Sequence, residues 1–234
     1  MNTLFLDFDG VLFDTLKEAY VLCRYAFYGT DIKIPIDEDE YKLFYKFKFL
    51  VYNSWQYYYL MQVLNDSNPV QAYNALLKTR DFEAEQSFDK KYYEKRLEMK
   101  RDYFEFWDGL EEPFEFFFEV KSIYEKGRID VVIVSKKDFD SIKMRLNQYG
   151  LGLADDKIFA KEQLMKYNEK RDFIEEYVVK NDIERAIFVD DNSHNLRPCK
   201  DIEGLKCLLA GWGNIAVDET GLCCREIINE IKLL

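Results

Sequence analysis

Three short apolar runs, each ending in polar side chains, constrain the fold of this chain more than any other feature. They are TLFLDFD at residues 3–9, IDVVIVS at residues 129–135 and AIFVDD at residues 186–191. Apolar runs of this length, bounded by polar residues or glycine, are typical of buried strands. Helical patterns accompany them, at residues 113–127, 138–150, 170–181 and 221–234. Because strands alternate with helices, we predict an α/β fold built from βα units around a mostly parallel sheet.

The stretch from residue 14 to residue 109 interrupts this alternation. It is helical in pattern, poor in strands, and contains 23 of the chain's 39 aromatic residues. Aromatic and apolar side chains recur in it at the three-to-four spacing of amphipathic helices. We therefore predict a helical subdomain at residues 14–109, inserted into an α/β core that comprises residues 1–13 and 110–234.

Charge and hydropathy restrict the partners of the chain. It has 33 Lys and Arg residues against 44 Asp and Glu residues, a formal net charge of −11 at pH 7. A surface of this sign repels phosphate backbones, so we expect no nucleic-acid partner. No apolar run approaches the roughly 18 residues that a membrane-spanning helix needs. Asp7 and Asp9 also interrupt the apolar stretch that a signal peptide would require, so we expect a cytoplasmic protein without a membrane partner.

Cysteine and histidine usage restricts the metals that the chain can hold. The five cysteines are odd in number and none lies in a CxxC motif, which indicates reduced thiols. Since His194 is the single histidine, a zinc site made of Cys and His is not expected. Any metal should be a hard cation bound by oxygen ligands.

Polar side chains follow all three predicted strands. Asp7 and Asp9 end the first, Ser135 ends the second, and Asp190 and Asp191 end the third. Ligands of parallel α/β sheets bind beyond the carboxyl ends of the strands, so these side chains should share one site. Carboxylates that are brought together repel unless a cation lies among them. This arrangement suits Mg²⁺, which prefers oxygen ligands.

The same residues resemble the motifs of the haloacid-dehalogenase superfamily of hydrolases. DFDGVLFDT at residues 7–15 resembles the first motif, VVIVSKKD at residues 131–138 the second, and FVDDNSHN at residues 188–195 the fourth. The resemblance implies a doubly wound parallel sheet. It also implies a helical cap between the first and second motifs, where the aromatic-rich insertion falls.

The resemblance further implies a role for each motif residue. Asp7 would be the nucleophile that forms an aspartyl-phosphate, and Asp9 would donate and then accept a proton. Ser135 would bind the phosphoryl oxygens, and Lys170, a candidate for the third motif, would offset negative charge. Gly10 would let the backbone approach the phosphate. Gly10, Ser135 and Lys136 are thus the expected substrate-binding residues.

The metal ligands implied by the resemblance are Asp7, Asp9, Asp190 and Asp191. Asp9 would contribute its backbone carbonyl, and Asp190 would bind either directly or through water. Two assignments stay open: Lys161 or Lys166 could replace Lys170, and Asn195, where many relatives carry an acid, could orient Asp191.

The predicted function is a Mg²⁺-dependent phosphohydrolase that acts on a small phosphomonoester, with a phosphorylated metabolite as its partner. A phosphomutase of the same superfamily would use the same Asp7 chemistry and is the alternative enzyme. The alternative from a different class is a catalytically inactive domain that binds a phosphorylated ligand.

Overall fold

The computed structural model describes residues 2–216 and 218–234. The chain divides into two units, an α/β unit of Met1–Asp14 and Pro113–Leu234 and a helical unit of Thr15–Glu112. The sequence-based boundaries were 13/14 and 109/110, and the contacts place the divisions after residues 14 and 112. Two short strands lie where the chain passes between the units, β2 (Phe13–Asp14) and β3 (Glu112–Pro113).

The α/β unit is built on a five-stranded parallel sheet. Its strands are β1 (Thr3–Leu6), β4 (Asp130–Val134), β5 (Ile158–Phe159), β6 (Ala186–Asp190) and β7 (Leu205–Leu209). They are arranged in the order β5-β4-β1-β6-β7. β1 is central and pairs with β4 on one side and β6 on the other. The three apolar runs are therefore neighbours, and their polar ends meet at one edge of the sheet.

Helices cover both faces of this sheet, which confirms the doubly wound α/β prediction. They are α7 (Glu115–Glu125), α8 (Phe139–Gln148), α9 (Lys161–Leu164), α10 (Lys170–Lys180), α11 (Ser193–Leu196) and α12 (Cys224–Lys232). Successive strand side chains point to opposite faces. Leu4 and Leu6 accordingly join one core, with α7, α8 and α12, while Phe5 joins the other, with α10.

The helical unit buries much of its aromatic content. Its helices are α1 (Leu16–Tyr28), α2 (Glu38–Phe47), α3 (Tyr57–Val63), α4 (Pro69–Leu76), α5 (Phe82–Asp102) and α6 (Phe104–Asp108). Tyr57 stacks between Phe44 and Tyr92, with ring centroids 5.5 Å and 6.0 Å away. The hydroxyl of Tyr59 donates to Oε1 of Glu85 at 2.7 Å. These aromatics form the interior of the unit.

No helix within residues 2–216 and 218–234 is both long enough and apolar enough to cross a membrane. The five cysteines all carry free thiols, and Cys23 and Cys199 are buried.

Candidate active site

Asp7 is held where β1 ends. Its backbone N–H donates to the carbonyl of Val189 on β6 at 3.0 Å, and its Oδ1 accepts the N–H of Phe8 at 2.7 Å. The chain then turns sharply, and Gly10 adopts a φ of +78° and donates its N–H to the Phe13 carbonyl. A Cβ at Gly10 would lie 1.9 Å from Oδ2 of Asp191, so only glycine allows this close approach.

Lys170 bridges two carboxylates. Its Nζ lies 2.7 Å from Oδ2 of Asp7 and 2.8 Å from Oδ2 of Asp190, and its side chain is 2% exposed. As the first residue of α10, it reaches the sheet edge from the start of a helix. Lys161 and Lys166 are exposed, so the structure brings Lys170, of the three candidate lysines, to the acidic residues.

Asp190 is fully buried, and each of its oxygens accepts two hydrogen bonds. Oδ1 accepts from the N–H of Asn192 at 2.8 Å and the amide of Asn195 at 3.1 Å. Oδ2 accepts from Lys170 at 2.8 Å and the Asn195 amide at 3.0 Å. The expectation that Asn195 orients Asp191 is therefore corrected. Asn195 orients Asp190, because a buried carboxylate at the end of β6 needs donors.

Asp7, Asp190 and Asp191 form a cluster that suits a cation. All three are buried, and one carboxylate oxygen from each lies within 4.8 Å of the others. Lys170 compensates only part of their negative charge. Oδ2 of Asp191 also accepts the N–H of Asn214 at 2.7 Å. Three carboxylates gathered around one point are the ligand type that Mg²⁺ prefers.

The Asp9 carboxylate is not a member of this cluster. The implied role of the Asp9 backbone carbonyl as a metal ligand stays a prediction. Oδ1 of Asp9 lies 3.0 Å from Nζ of Lys137. The Lys137 side chain is 3% exposed, whereas that of Asp9 is 39% exposed. The ion pair holds the Asp9 carboxylate apart from the three like charges. Lys137 was not singled out from the sequence, although it lies two residues after Ser135.

Ser135 and Lys136 lie at the end of β4. Ser135 is buried, donates its N–H to the Phe159 carbonyl at 3.0 Å, and accepts the N–H of Lys137 on its Oγ at 3.4 Å. Lys136 is exposed. Desolvation of its ammonium and repulsion from Lys170 lower its pKa. The Lys136 ammonium is therefore within electrostatic range of the site.

The buried charges shift one another's pKa. Burial raises the pKa of Asp7 to about 6, against the opposing effect of Lys170. Burial also raises the pKa of Asp190, again opposed by Lys170. For Lys170 itself, burial acts to lower the pKa, but the carboxylates of Asp190 and Asp7 outweigh it and the net shift is upward. The lysine thus stays charged in the site.

The loop after β7 also belongs to the site, and sequence reasoning missed it. A Cβ at Gly213 would lie 2.3 Å from Cβ of Asp191 and 2.4 Å from the Gly10 carbonyl oxygen. Next to it, Trp212 donates its indole N–H to the Val11 carbonyl at 3.1 Å. The signal in the sequence was the GWGN segment at residues 211–214, whose glycines permit this packing.

Comparison with solved structures finds the same fold in several hydrolases. A predicted phosphatase from Clostridium acetobutylicum is 16% identical with a TM-score of 0.67, over 100% of this chain and 99% of that one. A haloacid dehalogenase-like hydrolase from Streptococcus pneumoniae is 14% identical with a TM-score of 0.60, over 98% and 97%. A predicted phosphoglycolate phosphatase from Haemophilus somnus is 12% identical with a TM-score of 0.58, over 92% and 87%.

These likenesses establish the fold of the chain as that of haloacid-dehalogenase-like hydrolases and phosphatases, as the motifs implied. No protein-family sequence model matches the chain, and comparison with curated protein sequences finds no match.

Proposed function

We propose that this protein is a Mg²⁺-dependent phosphohydrolase that cleaves a small phosphomonoester through an aspartyl-phosphate on Asp7. The observation that carries the proposal is the position of Lys170, whose ammonium contacts both Asp7 and Asp190 inside the buried cluster. The Asp7 carboxylate lies beside the buried ammonium of Lys170 and two further carboxylates. In this position it can receive a phosphoryl group and contribute to a metal site. The names of the structural neighbours, phosphatases and a haloacid dehalogenase-like hydrolase, support the same reaction class.

Asp7 and Asp191 are the side chains that would hold Mg²⁺, together with the backbone carbonyl of Asp9. The hydrogen bonds of Asp190 favour a different role for that residue, in holding Lys170 and not the metal. When bound, the metal neutralises negative charge on the phosphate and the nucleophile. The donor set fits the ion because it is all oxygen, buried and only partly neutralised by Lys170.

In the first step, an oxygen of the Asp7 carboxylate attacks phosphorus and forms a new P–O bond. The bond from phosphorus to the substrate's alkoxide oxygen breaks in line with it, and Asp9 gives its proton to that leaving oxygen. The products of this step are the alcohol and the aspartyl-phosphate. Lys170 stays paired with Asp7 and Asp190 and offsets the charge of the phosphoryl group.

In the second step, a water oxygen attacks phosphorus and the P–O bond to Asp7 breaks. The Asp9 carboxylate takes the proton from this water, which restores both residues and releases inorganic phosphate.

Ser135 and the backbone turn at Gly10 are proposed to bind the phosphoryl oxygens, and Lys136 to attract the anionic substrate. The role of the helical unit as a substrate-selecting cap stays a prediction.

The proposal is tested by kinetics on a panel of phosphorylated metabolites and p-nitrophenyl phosphate. We expect turnover with Mg²⁺, loss of turnover in EDTA, and recovery when Mg²⁺ is restored. Asp7→Asn should lower kcat by several orders of magnitude and prevent trapping of an acid-stable, hydroxylamine-labile phosphoryl group.

Lys157→Met serves as the control, because Lys157 pairs with Asp130 at the opposite end of β4. Full activity of Asp7→Asn, or turnover unaffected by EDTA, would contradict the proposal. Phosphoryl transfer to a second substrate hydroxyl without release of phosphate would instead identify a phosphomutase.

A further inference from the structure

Lys137 forms an ion pair with Asp9 but has no role of its own in the two reaction steps proposed above. Nζ of Lys137 lies 3.0 Å from Oδ1 of Asp9, and the lysine side chain is almost completely buried. The same ammonium lies 5.6 Å from the ring centroid of Phe8. A lysine that gives up its hydration normally does so for a specific partner. One of its partners here is Asp9, the residue proposed to donate and accept the proton.

The local backbone explains why Asp9 needs such a partner. Side chains two residues apart lie on the same side of an extended strand. That geometry would add a fourth carboxylate to the cluster of Asp7, Asp190 and Asp191. The turn at Gly10 ends the strand at this point, and Lys137, from the loop between β4 and α8, attracts Asp9 to a different position.

Backbone contacts hold Lys137 itself in place. Its carbonyl accepts the N–H of Lys161 at 3.0 Å, and its own N–H donates to Oγ of Ser135 at 3.4 Å. The loop that carries Ser135 therefore also sets the position of the ammonium. One loop thus positions both a phosphate-binding hydroxyl and the side chain that contacts Asp9.

We infer that Lys137 is a positioning residue for Asp9. Its ammonium binds Oδ1 of Asp9, so that Oδ2 of Asp9 is the oxygen that transfers the proton. This inference rests on the proposed function, since it needs Asp9 to act as the proton donor. Nζ of Lys137 donates to Oδ1 whether Oδ2 carries a proton or not, so the carboxyl keeps one orientation through both steps. A carboxyl group that is fixed in this way transfers its proton without first losing rotational freedom.

The inference has a kinetic signature that a purely structural role lacks. Weakly basic leaving groups depart as anions without a proton, whereas more basic leaving groups need a proton from Asp9. Loss of Lys137 should therefore slow phenyl phosphate, with its more basic leaving group, much more than p-nitrophenyl phosphate. The value of kcat/KM reports the step in which the leaving group departs, because that step is the first irreversible one.

The experiment compares kcat/KM for the two aryl phosphates in wild type, Asp9→Asn, Lys137→Met, Lys137→Arg, and the double variant Asp9→Asn/Lys137→Met. We expect Lys137→Met to lower the ratio of kcat/KM for phenyl phosphate to kcat/KM for p-nitrophenyl phosphate by about tenfold or more. This is a fraction of the rate that is lost when general acid catalysis is removed altogether. Lys137→Arg should recover part of the ratio. In the Asp9→Asn background, loss of Lys137 should change the ratio no further. Lys157→Met is the matched control, since it removes another ion-paired lysine and should leave the ratio unchanged.

An equal loss for both substrates in Lys137→Met, or additive losses in the double variant, would overturn the inference. If Lys137→Met does not fold, Lys137→Arg and Lys137→Gln are compared instead. Both side chains keep a hydrogen-bond donor but only arginine keeps the positive charge, so the ratio of kcat/KM values should be lower in Lys137→Gln than in Lys137→Arg. Equal ratios in these two variants would overturn the inference. If Asp9→Asn leaves the ratio unchanged, the proposed proton donor is wrong and the inference falls with it. A change in Asp9→Asn without one in Lys137→Met overturns the inference alone.

Discussion

The ammonium of Lys170 lies 2.8 Å from Oδ2 of Asp190, and both side chains are buried, 2% and 0% exposed. The second carboxylate on this ammonium is that of Asp7, at 2.7 Å. Asp190 therefore stabilises the lysine in the position from which it contacts the proposed nucleophile. The adjacent Asp191, whose Oδ2 accepts the backbone N–H of Asn214, is the proposed metal ligand of the pair. In the proposed site, two consecutive aspartates thus have different roles.

Substitution of the two aspartates should separate these tasks. We expect Asp191→Asn to weaken Mg²⁺ binding by about 100-fold, because it removes a charged ligand, with a small effect on metal-free stability. Asp190→Asn should weaken Mg²⁺ binding much less but destabilise the fold by about 2 kcal/mol. An amide nitrogen cannot accept the hydrogen bonds that the two buried Asp190 oxygens receive from Lys170, Asn192 and Asn195. Calorimetric Mg²⁺ titration and thermal unfolding in EDTA measure the two effects. Equal losses of Mg²⁺ affinity in the two variants would contradict this division.

The pKa of Asp7 predicts a specific pH dependence of stability in the absence of metal. The pKa of its carboxyl is about 6 in the folded protein against an ordinary 3.8. Between these values the folded state binds more protons than the unfolded state, so this contribution to stability is lost as pH rises towards and through 6. Asp7→Asn cannot ionise. In EDTA above about pH 7, we expect it to be more stable than wild type, by up to about 3 kcal/mol.

The comparison is made by unfolding wild type and Asp7→Asn in EDTA over a range of pH. The stability difference should shrink as pH falls from about 6 to 3.8, because over that range Asp7 is protonated in the folded state and ionised in the unfolded state. Added Mg²⁺ should raise the stability of wild type and have less effect on Asp7→Asn. A stability difference that does not vary with pH would show that Asp7 titrates normally.

Gly10→Ala should disable the metal site through a steric clash. The new Cβ would lie 1.9 Å from Oδ2 of Asp191, so that carboxylate or the turn must move. We expect a loss of at least about tenfold in Mg²⁺ affinity, since displaced ligands bind weakly. Gly127→Ala is the control, because Gly127 has a similar φ of +65° and nothing within 4 Å of its added Cβ. It imposes the same backbone strain of about 1 kcal/mol and should retain activity. Similar Mg²⁺ affinities in the two variants would contradict the predicted clash.

Asn195→Asp should destabilise the metal-free protein more than Asn195→Ala. Both substitutions remove the amide that donates to the two oxygens of Asp190, but aspartate also adds a like charge beside a buried carboxylate. We expect a cost of about 1 kcal/mol for alanine and about 2 kcal/mol or more for aspartate. Urea unfolding in EDTA at neutral pH measures both. The reverse order would mean that Asn195 does not serve mainly to satisfy Asp190.

Much of the fold follows from local pattern. The sequence predicts a helix over residues 170–181, and α10 begins at Lys170. The apolar runs become β1, β4 and β6 because their side chains bury both faces of a parallel sheet. These features depend on neighbours in the sequence, so the sequence suffices to predict them.

The partners within the site were harder to predict. The spacing of four residues suggests that Asn195 orients Asp191, yet its amide donates to Asp190. Surface lysines are common, and nothing nearby in the sequence marks Lys137 as buried. The sequence around the GWGN segment likewise does not indicate its contacts. Gly213 packs against Asp191, more than 20 residues away in the sequence, and against Gly10, more than 200 residues away.

The sequence by itself therefore determined which residue types end the strands, and hence that carboxylates, a hydroxyl and a lysine collect at one edge of a parallel sheet. Only the tertiary structure decided which charges pair. Lys170 contacts Asp7 and Asp190, and Lys137 contacts Asp9, across separations of 20 to more than 100 residues. The physical reason is that the cost of burying a charge depends on the groups packed around it. Those groups come from different strands and loops, and folding brings them together.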